Sequence, residues 1–149
     1  MARMFVSAAA PEVALVSGTA KTVLQVGTPS NHRAPVIRWG VFFDGQSVTD
    51  EPVQVRLLRQ TSSGTMTTLA VRKLDGSLSE SPQSVAQYNA SAEPTAGDLL
   101  DAIEVHPQTG YEMIYPLMQE PIIDGGGRVG IECTSSSAVN VRPKIILEE

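Results

Sequence analysis

Two histidines and a short run of carboxylates are the side chains of this sequence suited to acid–base catalysis or metal binding. His32 and His106 lie beside different predicted loops, and Asp98, Asp101 and Glu104 follow one another closely. A histidine can act as a general base, and two carboxylates can cleave a glycosidic bond. The separated histidines do not provide the paired spacings of a zinc site, and the acidic run does not match a calcium-binding EF-hand loop.

We therefore predict no catalytic residue, no metal site and no cofactor, and we interpret the acidic run as a solvated loop that includes a short helical turn at residues 97–101. A small hydrolase that uses His106 and this acidic run is an alternative. A variant in which His106 is replaced by alanine would test it on any substrate found.

Residues 125–130, with the sequence GGGRVG, match the GxGxxG pattern of dinucleotide-binding sites. Such a site requires the glycines to follow a strand and to open a helix, so that the pyrophosphate meets the helix N-terminus. Here the glycines precede Val129, Ile131 and Cys133, whose alternation is typical of a strand. The sequence predicts a glycine turn between two strands, with the single cysteine as a small core residue.

Composition narrows the class of partner. The chain has 149 residues, 11 Lys and Arg against 16 Asp and Glu, and a net charge of −5. Nucleic-acid binding needs clustered basic residues that neutralise phosphates, and the basic residues here are scattered. No apolar run approaches the length of a membrane span. We expect a single domain that binds neither nucleic acid nor membrane.

The clearest structural signal is the segment from residue 36 to residue 45, which holds the only tryptophan. Apolar side chains recur there at every second position, the spacing that places them on one face of a strand: Ile37, Trp39, Val41 and Phe43. The opposite face is mixed, because Arg38 and Phe42 share it. This pattern predicts a central strand with Trp39 as its core anchor.

The rest of the chain shows about nine strands, with turn signals about every 8 to 12 residues. One strand is expected near residues 85–92, and the last strand places five residues on one face: Val139, Val141, Pro143, Ile145 and Leu147. Because proline lacks a backbone donor, we expect this strand to lie at an edge or to be bulged. The predicted fold is an all-β antiparallel sandwich, of jelly-roll or immunoglobulin-like type, covering residues 19–149.

Tyrosines on a β-sandwich can form a carbohydrate-binding face. Tyr111 and Tyr115 share one side of a predicted strand with Met113 and Leu117, which favours an inward orientation for all four. Tyr88 lies elsewhere in the chain. A carbohydrate-binding module is therefore an alternative to the principal interpretation below.

Residues 1–18 have few charges and little periodicity, and Pro11 disfavours a helix. We expect an extended N-terminal arm that buries little against its own domain and is stabilised by lying on a neighbouring subunit. The apolar residues expected to dock there are Phe5, Val6, Val13, Leu15 and Val16. A frayed terminus is the alternative interpretation of this segment.

Several short segments together resemble small virion proteins of tailed bacteriophages. They are KTVLQ at residues 21–25, VIRWGVFFDG at 36–45, VQVRLLRQ at 53–60, EVHPQ at 104–108 and VNVRP at 139–143. The similarity extends from about Lys21 to the last residue and leaves the N-terminal arm outside it. It carries no catalytic signature.

This resemblance implies a non-enzymatic capsid decoration (cement) protein, made in the host cytoplasm and bound to the outer surface of the virion head. Its expected partners are the major capsid protein and further copies of itself, as a homotrimer at local three-fold positions. The negative net charge suits an outer surface better than a surface that lines packaged DNA. Other small head or tail subunits would have similar sequences.

Overall fold

The computed structural model describes residues 3–47 and 50–149. These residues form thirteen β-strands and no helix. In chain order the strands are β1 (Phe5–Ala9), β2 (Val13–Leu15), β3 (Lys21–Gly27), β4 (Ala34–Phe43), β5 (Val53–Gln60), β6 (Thr65–Leu69), β7 (Arg72–Lys73), β8 (Val85–Ala92), β9 (Ala96–Val105), β10 (Gly110–Ile114), β11 (Ile122–Ile123), β12 (Arg128–Thr134) and β13 (Val139–Glu148).

The strands form two antiparallel sheets that pack as a sandwich. The seven-stranded sheet has the order β10-β4-β13-β1-β7, with β11 paired to β4 and β2 paired to β13. The six-stranded sheet has the order β6-β8-β3-β12-β5-β9. The predicted all-β antiparallel sandwich is therefore confirmed, including the strand expected at residues 85–92.

Trp39 is the largest fully buried side chain of the core between the sheets. Its indole Nε1 donates a hydrogen bond to the Tyr115 hydroxyl at 3.1 Å, which satisfies the only polar atom of the ring. The Tyr111 ring packs against it, with 5.6 Å between ring centroids. The predicted role of Trp39 as core anchor is confirmed.

One face of the Trp39 strand differs from the prediction. Val36 is fully buried in the core, whereas Ile37 is only partly buried. The register between β4 and β13 shifts between Ile146 and Leu147, opposite this point. The expectation that Ile37 faces the core with Trp39 was therefore wrong. A bulge of this kind changes which side chains face inward, and the every-second-residue pattern of the sequence does not reveal it.

The predicted inward face of β13 is buried at all five positions. The strand is not at an edge, because it lies between β4 on one side and β1 and β2 on the other. Pro143 sits where the second neighbour changes from β2 to β1. Its carbonyl accepts a hydrogen bond from the Ala10 amide at 3.0 Å, and its missing donor falls in the gap between these two short strands.

The N-terminal segment is part of the sandwich, although its first two residues lie outside the described residues. β1 and β2 pair with β13 of the same chain, and their inward side chains Val6, Val13 and Leu15 are at most 2% exposed. This placement differs from the expected arm that buries little against its own domain. β1 and β2 have only five and three residues, and the buried positions of β1 include a small alanine, so the sequence pattern of this segment is weak.

Asp98, Asp101 and Glu104 all lie within β9, as do residues 97–101, so the expectation of a loop with a short helical turn there was wrong. β9 pairs with β5 along most of its length, with register shifts near Leu57 and Leu58. Pairing with a neighbouring strand overrides local preference in such a segment.

The six-stranded sheet contains a ribbon that crosses one end of its outer face. β5 continues through residues 61–64 into β6, while β8 continues through residues 93–95 into β9. β5 pairs with β9, and β6 pairs with β8. The Thr61 amide donates to the Thr95 carbonyl at 3.0 Å, so the two connecting segments also stay paired where they cross the sheet. We call residues 61–64 and 93–95 the crossing ribbon.

Candidate assembly surface

The most exposed apolar side chains lie between β10 and β11. β10 ends with Ile114 opposite Arg38, and β11 begins with Ile122 opposite Pro35, so both strands pair with the same edge of β4. The connection between them, residues 115–121, projects from that edge. Strand pairing at both of its ends fixes the position of the connection.

Four large apolar side chains in this segment are exposed to solvent. Leu117 is 75% exposed and Met118 is 88% exposed, and Ile114 and Ile122 are also exposed. We call these four residues the apolar loop. They are four of the ten large exposed apolar side chains among the described residues, and they fall within nine consecutive positions. Clustered apolar exposure of this kind is typical of protein–protein contacts.

Backbone contacts hold the apolar loop in a defined shape. The Tyr115 amide donates to the Ile37 carbonyl at 3.0 Å, and the Gln119 amide donates to the Pro116 carbonyl at 3.0 Å. From the other sheet, Arg59 Nη1 donates to the Ile122 carbonyl at 2.8 Å. A loop fixed in this way loses little further entropy when it binds a partner.

The sequence prediction placed Leu117 inward with the three residues before it in the pattern, and this was wrong for Leu117. Tyr111, Met113 and Tyr115 are partly buried and pack against the core, as predicted. β10 ends before Pro116, so the alternation does not continue to Leu117. The two prolines that flank the connection, Pro116 and Pro121, were the signal that could have identified the loop.

Paired charges lie beside the apolar loop, on the outer face of the seven-stranded sheet. The Glu112 carboxylate lies 3.0 Å from Lys144 Nζ and 3.1 Å from Arg38 Nη1. Hydrogen bonds from Lys144 and then from Arg38 lower the pKa of Glu112. Lys144 Nζ also lies 5.3 Å from the centroid of the exposed Phe42 ring. Polar groups around an apolar centre are the usual arrangement of a protein interface.

The five residues predicted to dock an N-terminal arm do not form one surface. Val6, Val13 and Leu15 are in the core of their own chain, and only Phe5 and Val16 are exposed, by 37% and 60%. Phe5 lies at the start of β1, and Val16 follows β2. The structure therefore separates the two exposed members from the three buried ones.

The residues considered for catalysis are also separated. His32 lies in the connection between β3 and β4, and His106 follows β9, where its carbonyl accepts from the Thr109 amide at 2.9 Å. Asp98, Asp101 and Glu104 lie along β9 itself. Within residues 3–47 and 50–149, no group of three or more histidine, cysteine, aspartate or glutamate side chains could hold a metal ion.

The glycine motif forms a turn between β11 and β12, as predicted. The Gly127 amide donates to the Asp124 carbonyl at 2.7 Å, and Gly126 has a φ of +77°, a conformation that favours glycine. Strand β12 follows directly, and no helix begins there. Cys133 is fully buried, and this burial, with a smaller effect of the neighbouring Glu132, raises the pKa of its thiol. Both structural predictions are confirmed.

The tyrosines do not form a flat exposed face for sugar rings. Tyr88, Tyr111 and Tyr115 are partly buried and pack against the core, and the Tyr115 hydroxyl accepts the hydrogen bond from Trp39. Burial raises the pKa of the Tyr115 hydroxyl, with smaller contributions from Asp101 and Tyr111, while the hydrogen bond from Trp39 acts in the opposite direction. The arrangement of the aromatic side chains favours packing and gives no support to carbohydrate binding.

No protein-family model, curated protein or solved structure matches this chain. In the part of the chain that the structure describes, no helix is long and apolar enough to cross a membrane. The functional proposal therefore depends on the sequence resemblance and on the surface described above.

Proposed function

We propose that the protein is a non-enzymatic structural subunit of a virion, a capsid decoration protein of the kind carried by tailed bacteriophages. In this role it binds the major capsid protein and further copies of itself on the outer surface of the head and braces neighbouring capsomers. The observation that carries the proposal is the apolar loop, which offers a surface for binding another protein.

The energetics of the apolar loop suit a binding role. Fully burying a leucine, isoleucine or methionine side chain is worth roughly 1.5 to 3 kcal/mol. Leu117 and Met118, which are more than 70% exposed, would gain most of that amount on docking. Methionine also adapts its shape to an irregular partner surface. A few such residues commonly dominate the affinity of an interface.

The charge of the chain suits the outer surface of a head. The net charge of −5 would be repelled by packaged DNA, whose phosphates attract basic proteins. An acidic subunit on the outside avoids that repulsion. The sequence resemblance to small virion proteins points to the same location.

The proposal is tested first by finding the protein in particles. Virions from the strain that carries this sequence are purified, and their proteins are identified by mass spectrometry after mild cross-linking. We expect the chain to be present in many copies and cross-linked to the major capsid protein. Its absence from purified particles would overturn the proposal.

The contribution of the apolar loop is tested with capsids that lack the protein. Purified wild-type chain and a Leu117→Ser/Met118→Ser variant are added to such capsids, and binding is measured by co-sedimentation. We expect at least about a tenfold loss of affinity, since tenfold corresponds to about 1.4 kcal/mol and two side chains are affected. Val85→Ser, at a residue that is 62% exposed on β8, is the matched control and should bind like wild type.

A further inference from the structure

The six-stranded sheet ends in two strands that each have one open edge. β9 pairs only with β5, and β6 pairs only with β8, among the described residues. β9 has ten residues, which is long for an unprotected edge. Open strand edges carry unpaired backbone donors and acceptors that favour pairing with another chain.

The number of strands decides how copies can join. All neighbours in the six-stranded sheet are antiparallel, so its two edge strands, β6 and β9, run in opposite directions. If β9 of one copy lies beside β6 of the next, the antiparallel pattern continues. In the seven-stranded sheet the edges β10 and β7 run in the same direction, and β7 has only two residues. Only the six-stranded sheet can continue regularly from copy to copy.

Charge favours this pairing over the alternative in which β9 pairs with itself. β9 carries Asp98, Asp101 and Glu104 and no basic residue, so two β9 strands side by side would bring like charges together. β6 has the uncharged sequence TMTTL, and two residues later the chain enters β7 with Arg72, at the edge of the seven-stranded sheet. Arg72 is exposed and has no ion pair among the described residues.

We propose that copies of this chain associate head to tail, with β9 of one copy pairing antiparallel to β6 of the next. In that orientation the N-terminal end of β9 meets the C-terminal end of β6, and Asp98 lies at the edge where the neighbouring copy's chain passes from β6 to β7 and carries Arg72. Head-to-tail contacts either close into a ring of three or more copies or continue as a filament. The inference rests on the proposed function only for the expectation that the ring contains three copies.

The test uses charge reversal in the full chain. The assembly state of wild type, Asp98→Arg, Arg72→Asp and the double variant is measured by analytical ultracentrifugation over a range of concentrations. We expect wild type to assemble beyond the dimer, and each single reversal to weaken assembly at least about tenfold, because like charges at a contact are costly. The double variant recreates the opposite-charge pair and should recover most of the lost affinity.

Asp124→Arg is the matched control, since it makes the same charge change in the turn between β11 and β12 and should assemble like wild type. Circular dichroism and urea unfolding establish that each variant is folded. A monomeric wild type, a dimer, or single reversals that leave assembly unchanged would overturn the proposal, and so would a folded double variant that fails to recover.

The outcome is separable from the proposed function. A monomer that still binds capsids overturns the head-to-tail contact and leaves the decoration role intact. A ring that is absent from purified particles supports the contact and overturns the decoration role.

Discussion

The two sheets of this sandwich differ in whether the polar side chains of their outer faces are exposed or buried. The outer face of the seven-stranded sheet is open to solvent and carries charged pairs such as Glu112 with Lys144. The outer face of the six-stranded sheet buries amide side chains beneath the crossing ribbon: Gln25 is 1% exposed and Gln60 is 4% exposed. Leu58 is also buried on this sheet but is not part of the core between the sheets.

The buried amides are satisfied by one another and by the crossing ribbon. Gln25 Nε2 donates to Gln60 Oε1 at 2.6 Å and to the Ser62 carbonyl at 3.0 Å. Gln87 Nε2 donates to Gln25 Oε1 at 3.0 Å, and Gln60 Nε2 donates to Thr22 Oγ1 at 3.0 Å. We call this group the glutamine network. Replacing a polar side chain should therefore change the stability of the fold little on the outer face of the seven-stranded sheet and greatly in the glutamine network, since buried unpaired groups are costly.

The largest expected effect comes from the seven-stranded sheet, where the chain termini meet. Deleting residues 1–17 removes β1 and β2 and with them, besides two buried alanines, four large buried side chains: Met4, Val6, Val13 and Leu15. At roughly 1.5 to 3 kcal/mol each, the loss is about 6 to 12 kcal/mol, comparable to the whole stability of a domain. We expect the truncated chain to show no cooperative unfolding transition in urea.

The control for this deletion changes the exposed positions of the same segment. Phe5→Ser/Val16→Ser should retain a cooperative transition, because both side chains are already exposed to solvent. A truncated chain that unfolds cooperatively near the wild-type midpoint would show that these strands are dispensable. It would restore the expectation of a separable arm.

The second effect breaks the glutamine network. Gln60→Ala leaves Thr22 without its donor and Gln25 without one acceptor, and it opens a cavity. We expect a loss of about 2 to 4 kcal/mol in the free energy of unfolding, measured by urea denaturation. Gln54→Ala, at an exposed position of the same strand, should change stability by less than about 0.5 kcal/mol. Equal effects of the two variants would show that burial in the glutamine network does not make Gln60 more important than an exposed glutamine of the same strand.

The third effect concerns the glycine beneath this network. A Cβ at Gly130 would lie 2.2 Å from Gln60 Oε1, so Gly130→Ala must displace a buried and hydrogen-bonded amide. We expect a loss of about 1 to 3 kcal/mol, as for other overpacked sites. In the Gln60→Ala background the clash is absent, and the same change should be nearly neutral. Additive effects of the two substitutions would show that they do not interact.

Much of the fold could be predicted because the strands of the core repeat over many residues. β13 alternates over ten residues and was identified with its inward face correct. Trp39 was identified as core because few other side chains of that size are available. The bulge beside Ile37 and the central position of β13 depend on which strands become neighbours. No period within one strand contains that information.

The candidate surface was harder to predict for a related reason. Leu117 continues in sequence the every-second-residue pattern of β10, and it is exposed only because that strand ends at Ile114. In the reverse case, Gln25 and Gln60 are polar residues whose burial depends on a ribbon that crosses from β5 to β6. Whether these side chains are exposed depends on where the connections between strands run, and residue type alone does not determine that.

The smallest effect is expected at the charged pairs of the open face. Glu112 is exposed to solvent and forms ion pairs with Lys144 and Arg38. Exposed ion pairs contribute little to the free energy of unfolding. Because these cations lower the pKa of Glu112 below its ordinary value of 4.5, the pairing stabilises the fold above that pH and loses its effect as the pH falls through the lowered value. Glu112→Gln should therefore lower the urea midpoint slightly at pH 7, by less than Gln60→Ala, and the difference from wild type should disappear in acid. A difference that persists or grows in acid would mean that Glu112 acts through packing and not through its charge.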